Sequence, residues 1–138
     1  MKLKNSEIYA YAAALAEAFS DKDQKLPIKI NFYLQKNRNK LIEIAQEIEQ
    51  SRLEIAKTYG TLNEENMQYA IAPDKVEEAQ KELTDLFNLE QEVQIYTINI
   101  DNFSDDLTIT TAQMEALMFM IEWVGVNTHS LFLVRKER

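Results

Sequence analysis

Between Pro27 and Gly60 the chain contains neither glycine nor proline. The segment is built from Leu, Ile, Ala, Glu, Gln, Lys and Arg, residues that lose little on entering a helix. Proline suits the first helical turn, where no intrahelical N–H is required. Glycine suits the position just beyond the last turn. The reading is one helix over 28–59, about 48 Å long at the α-helical rise. Leu34, Leu41, Ile48 and Ile55 recur every seven residues along it, and Ala45 and Tyr59 widen that stripe. So long a helix overruns a small core. Either a second helix of the chain lies along it or a second copy does, and the stripe is the expected contact face.

The chain has 138 residues, 46% of them hydrophobic, which is enough for one domain with a core, extended by a helical hairpin or arm. Two glycines and two prolines mean long elements and few tight turns. Without cysteine there is no disulfide framework, thiol nucleophile or thiolate metal site. No apolar run is long enough for a membrane span, and Met-Lys-Leu-Lys-Asn-Ser-Glu does not read as a signal peptide, so a cytoplasmic protein is expected.

The remaining pattern is mainly helical α+β. Asn5 or Ser6 is the expected N-cap of a helix over 6–20, with Ile8, Ala12, Leu15 and Phe19 on one face and alanines keeping it thin. It is expected to pack back on the 28–59 helix across Ser20–Lys25. A polar loop follows Gly60, then a short strand over 68–72. Pro73-Asp74 opens a third helix, with Asp74 and Glu77 at capping-box spacing and Val76, Ala79, Leu83, Leu86 and Phe87 on its apolar side, ending near Leu89 or Glu90. Residues 93–100 read as a strand whose alternation changes parity, which predicts a bulge or a strand covered on both faces. A turn over 102–106 leads to a second capping box, Thr110 with Gln113, and a fourth helix to Trp123. Met114, Leu117, Met118, Phe119, Met120, Ile121 and Val124 leave that helix almost no polar face, so it is buried or forms a subunit interface through Met114 and Met118. Gly125 ends it, and Ser130–Val134 is the last strand of a small antiparallel sheet.

Catalytic chemistry has little to use. His129 is the sole histidine, and no glycine-rich loop is present to cradle phosphate. The carboxylate pairs Glu64-Glu65, Glu77-Glu78 and Asp105-Asp106 read as solvated. No enzyme activity, metal or cofactor is expected.

The formal net charge is −8, which disfavours duplex nucleic acid as a partner. Its distribution says more. Lys22, Lys25, Lys29, Lys36, Arg38 and Lys40 face only Asp23 between residues 22 and 40, whereas Gly60–Ile109 is strongly acidic. Lys25, Lys29, Phe32, Tyr33, Lys36 and Arg38 place cations beside aromatic rings at the N-terminal end of the long helix. Rings stack bases and cations hold phosphates, so these six are the candidate site for a small anionic nucleotide. The competing reading is a solvated helix face with Phe32 in the core.

The stretches Lys-Leu-Lys-Asn-Ser-Glu-Ile-Tyr (2–9), Leu-Pro-Ile-Lys-Ile-Asn-Phe-Tyr-Leu-Gln-Lys-Asn (26–37), Tyr-Gly-Thr-Leu-Asn-Glu-Glu-Asn (59–66), Glu-Leu-Thr-Asp-Leu-Phe-Asn-Leu-Glu-Gln-Glu-Val (82–93) and Leu-Thr-Ile-Thr-Thr-Ala-Gln-Met-Glu-Ala-Leu (107–117) together resemble a family of small uncharacterised proteins from phages and prophages of Gram-positive bacteria. The resemblance spans about 2–122 and transfers no functional residue. It implies action inside a bacterial host cell. Three expectations follow: a counter-defence factor that sequesters a host immune nucleotide signal; an inhibitor of a host defence protein through the acidic face, acting as a DNA mimic or in anti-CRISPR fashion; or a phage assembly protein. Self-association is expected in each.

Overall fold

The computed structural model describes residues 1–104 and 106–122. The fold is mainly helical α+β. In chain order the elements are β1 (Lys2–Lys4), α1 (Asn5–Ala18), α2 (Ile28–Tyr59), β2 (Gly60–Asn63), β3 (Gln68–Ile71), α3 (Val76–Asn88), β4 (Glu90–Glu92), β5 (Ile98–Asn99), α4 (Thr111–Leu117) and β6 (Ile121–Glu122). Helix α2 runs over the whole glycine- and proline-free segment. The chain divides into two compact units: Met1–Ala13 with Arg38–Gln94, and Ala14–Asn37 with the chain from Ile95 onward.

The first unit is built on the C-terminal two-thirds of α2. Leu41, Ile44 and Ile48 are buried there, as are Leu3, Ile8, Ala12, Ala79 and Val93. Strand β1 pairs antiparallel with β4 in the register Lys2↔Glu92, Leu3↔Gln91, Lys4↔Glu90. That register places opposite charges across the ladder at both outer positions. Neither strand was expected. Asn5 does not serve as a simple cap. Its amide is buried, donating to the Leu86 carbonyl at 2.8 Å and accepting from Gln91 Nε2 at 2.7 Å. The start of α1 is thereby tied to the corner between α3 and β4.

The polar segment after Gly60 begins as a strand through Asn63 and only then turns. β2 and β3 form a hairpin from Gly60↔Ile71 to Asn63↔Gln68. Asn63 and Asn66 close its tip by accepting from the backbone N–H of Glu65 and Gln68. Two turn-forming Asn side chains within a polar run carry the hairpin that hydrophobic alternation does not show. Glycine is required at position 60, because a Cβ there would lie 2.8 Å from the Ala56 carbonyl oxygen and 2.9 Å from that of Ala70. The expected Asp74–Glu77 capping box is absent. Pro73–Lys75 forms a 3-10 turn with no side-chain cap, and α3 starts after it, also without one.

The second unit contains the end of α1, the start of α2 and the chain from Ile95. Its core is Leu15, Phe19, Ile30, Leu34, Ile98, Ala116, Leu117, Met120 and Ile121. The Thr110–Gln113 capping box is formed as expected. Gln113 also donates to the Ala18 carbonyl at 2.8 Å and exchanges two bonds with the Gln24 amide, so the cap holds the α1–α2 connection as well. The strand expected over 93–100 shrinks to β5. Tyr96 has both backbone groups bonded to the Asn37 side chain, and Ile100–Asn102 turns into a 3-10 helix. Helix α4 stops at Leu117 instead of Trp123. A 3-10 turn over Met118–Met120 buries Met120, and the chain then extends as β6. β6 pairs with β5 in parallel, Ile98↔Ile121, so the small sheets are not all antiparallel.

The interface assignment needs correcting at three positions. Leu34, Leu41 and Ile48 are at most 3% exposed within the chain itself, so they are core side chains with no surface to offer a second copy. Ile55 and Met114 are half-buried, and Met118 is 40% exposed. Trp123, Val124, Gly125, His129, the strand over 130–134 and Asp105 lie outside the described residues.

Candidate functional site

Helical geometry divides the first three turns of α2 into two faces. At 100° per residue, Ile30, Leu34, Asn37 and Leu41 share one side and are buried. Ile28, Lys29, Phe32, Lys36 and Lys40 share the opposite side and are exposed. Phe32 is 55% exposed, so it is not the core residue of the competing reading.

Three of the six candidate residues are brought together, and a third ring joins theirs. The Lys36 ammonium lies 5.5 Å from the centre of the Phe32 ring and 5.2 Å from that of Tyr96. Tyr33 meets Phe32 edge-on at 5.8 Å and stacks on Tyr96 at 6.1 Å. Tyr96 comes from the segment before β5 and was legible in the sequence only as a strand residue. Lys29 lies one turn before this cluster on the same face. Lys25 is exposed in the connection ahead of the helix, and Arg38 is turned about 200° around α2 from Lys36. Neither joins the ring cluster.

The position of Tyr96 is set from inside the unit. Asn37 is fully buried; its Nδ2 donates to the Tyr96 carbonyl at 2.7 Å and its Oδ1 accepts from the Tyr96 N–H at 2.8 Å. Its Nδ2 also reaches the Met120 sulfur at 3.4 Å. One buried amide thus holds the backbone whose ring Lys36 covers.

The electrostatics of this face are unbalanced. Among the described residues, no acid forms an ion pair with Lys22, Lys25, Lys29, Lys36 or Lys40. The first turn of α2 has no acidic residue either. Cations at the positive end of a helix are unfavourably placed. An anion here would relieve both the dipole and the mutual repulsion of the lysines.

The first unit holds a second polar cluster. Tyr9 donates to Glu49 at 2.7 Å, and Arg52 forks onto the same carboxylate through Nε and a terminal nitrogen. Tyr9 also packs its ring 5.4 Å from that of Phe87. The hydrogen bonds from Arg52, then from Tyr9, hold the Glu49 carboxyl down at about 2. Burial, then the Glu49 carboxylate, pushes the Tyr9 phenol up to about 12, and Glu49 also raises Arg52. The triad ties α1 to α2 within this unit.

Among the described residues, cavities border the C-terminal turns of α2. One of about 310 Å³ is lined by Arg52, Leu53, Ala56, Met67, Gln68 and Tyr69. A smaller one of about 130 Å³ lies between Ile55, Ala79 and Leu83, and an open groove of about 340 Å³ runs along α3. Among the described residues no group of His, Asp or Glu is arranged to hold a metal ion, and no helix is long and apolar enough to cross a membrane. Comparison with family models, with curated proteins and with solved structures finds no match to this chain.

Proposed function

We propose that this chain is a non-catalytic binding protein that takes a small anionic ligand of nucleotide type on the exposed face of α2. The observation that carries the reading is Lys36, set across the Phe32 and Tyr96 rings with no acid paired to it among the described residues. Its ammonium donors remain free for phosphate, and Lys29, two turns earlier on the same face, supplies a second cation. Phe32 offers ring area for a base to stack on, which is sequence-tolerant chemistry. The net acidity of the chain keeps long nucleic acids away while leaving this local field intact. The resemblance to phage proteins supports a use inside an infected bacterium, namely removal of a nucleotide signal raised by host defence.

Calorimetry against a panel of cyclic and linear nucleotides tests this. At least one should bind the wild type, and Lys36→Glu should abolish that binding. Phe32→Ala should weaken it, with the thermal midpoint of each variant close to wild type because the side chains are exposed. Duplex DNA should not bind. The reading fails if nothing in the panel binds more tightly than about a millimolar, −4.1 kcal/mol on the affinity scale.

A further inference from the structure

The open groove of the first unit is lined by Ile55, Glu82, Asp85, Leu86 and Leu89. Ile55 and Leu86 are half-buried, and Leu89 is 57% exposed. On α3, Asp85 and Leu86 lie three and four residues after Glu82 and so share one side of the helix, and Leu89, the extended residue that ends it, lines the same groove. Lys75 reaches Glu78 at 3.9 Å, but among the described residues no cation pairs with Glu82 or Asp85. Asp85 opens the last turn of α3, which has no basic residue, and Glu82 lies one turn before it. That placement is unfavourable, and a cation would relieve it. The groove is therefore apolar at its floor and cation-seeking at its rim.

A helix face of the opposite character is present on the same chain. Ile28 is 82% exposed and Phe32 55%, four residues apart on α2, with Lys29 and Lys36 on the same side. Ile28 is largely bare and Phe32 is covered only in part, by Tyr33 and Lys36, and the lysines beside them have no acid partner among the described residues. An amphipathic helix with apolar side chains at i and i+4 is what an open groove receives.

We infer that the groove of one copy docks the exposed start of α2 of a second copy. Ile28 and Phe32 enter between Ile55, Leu86 and Leu89, and Lys29 and Lys36 meet Glu82 and Asp85. The contact joins two different surfaces, so it is heterologous and extends to a ring or a filament. It differs from self-association through the Leu34–Leu41–Ile48 stripe, which the core has used. It does not depend on the ligand reading, because it needs only exposed side chains and their charges.

A charge-swap experiment tests it by sedimentation velocity, with thermal melts confirming that each variant is folded. The wild type should run heavier than a monomer at low salt and shift toward monomer as salt is raised, since the rim contacts are screened. Lys29→Glu/Lys36→Glu alone should be monomeric, and so should Glu82→Lys/Asp85→Lys alone. Mixed in equal amounts, the two should regain the wild-type distribution, because each now carries what the other's groove requires. Both variants keep a negative net charge, so general attraction does not produce that result. A wild type that stays monomeric at low salt overturns the inference. So does a folded variant that assembles like the wild type, or a mixture that remains monomeric. Phe32, Lys29 and Lys36 also belong to the proposed ligand site, so docking and nucleotide compete for one face; Glu82→Lys/Asp85→Lys leaves that site untouched, and its calorimetry reads nucleotide binding apart from assembly.

Discussion

Asn37 holds Tyr96 as a neighbouring strand would: its buried side-chain amide makes both hydrogen bonds, at 2.7 and 2.8 Å, that a ladder partner would make to that residue. A helix side chain has replaced the edge of a sheet. Strand β5 therefore begins only at Ile98, and the Tyr96 ring is placed beneath the Lys36 ammonium.

Asn37→Leu keeps the volume and removes both bonds. It leaves the Tyr96 N–H and carbonyl without their partner, a loss of about 2–4 kcal/mol for two part-buried backbone groups. The midpoint of denaturant unfolding should fall accordingly with an unchanged slope. A variant as stable as wild type would mean that water replaces the amide.

Met67 has a positive φ of 57° at the tip of the β2–β3 hairpin, and its side chain is 70% exposed. The left-handed conformation costs an L-residue about 1–2 kcal/mol, and glycine returns part of that gain as unfolded-state entropy. Met67→Gly should stabilise the chain by about 0.5 kcal/mol, a rise of a degree or two in thermal midpoint. Gly60→Ala should do the reverse, because two carbonyl oxygens block its Cβ.

The Tyr9–Glu49–Arg52 cluster predicts two pH windows. Glu49 is depressed from 4.5 to about 2, so its contribution is complete above the ordinary value and is lost as the pH falls through about 2. Tyr9 is raised from 10.0 to about 12, so its contribution is complete below the ordinary value and is lost as the pH rises through about 12. Phenolate absorbance should therefore show late transitions after the bulk of the six tyrosines, one from Tyr59, raised by burial and then by Glu82, and one from Tyr9. Glu49→Gln should bring the Tyr9 transition part of the way back, since burial is the larger cause. Late transitions that are all unchanged in that variant would assign them to other tyrosines.

The two faces of α2 should respond in opposite ways to substitution. Leu41 is fully buried, and Leu41→Asp places a carboxylate in the core, a loss of about 4 kcal/mol or more. Circular dichroism should show a largely unfolded chain. Phe32→Ala removes a ring that is more than half exposed and should cost under about 1 kcal/mol. If the two variants melted alike, the helix register described here would be wrong.

What the sequence determined by itself is local. The span of α2 follows from the absence of breakers between Pro27 and Gly60, the buried face of α1 from the spacing of Ile8, Ala12, Leu15 and Phe19, and the start of α4 from Thr110 and Gln113 three residues apart. Each rests on contacts within one or two turns, where periodicity and capping chemistry act directly. The cationic, aromatic start of α2 was legible for the same reason. Tertiary structure alone decided the rest. β1 pairs with a strand at the far end of the unit, Tyr96 joins the candidate site through an asparagine 59 residues away, and α4 gives way after Leu117 to a turn that buries Met120 and to a strand that pairs with Ile98. The Asp74–Glu77 spacing is that of a cap, yet Pro73 leads into a 3-10 turn and no cap forms. A short polar run such as Lys2–Lys4 or Glu90–Glu92 has no pattern of its own. It becomes a strand only when folding brings opposite charges and open backbone groups into register across it.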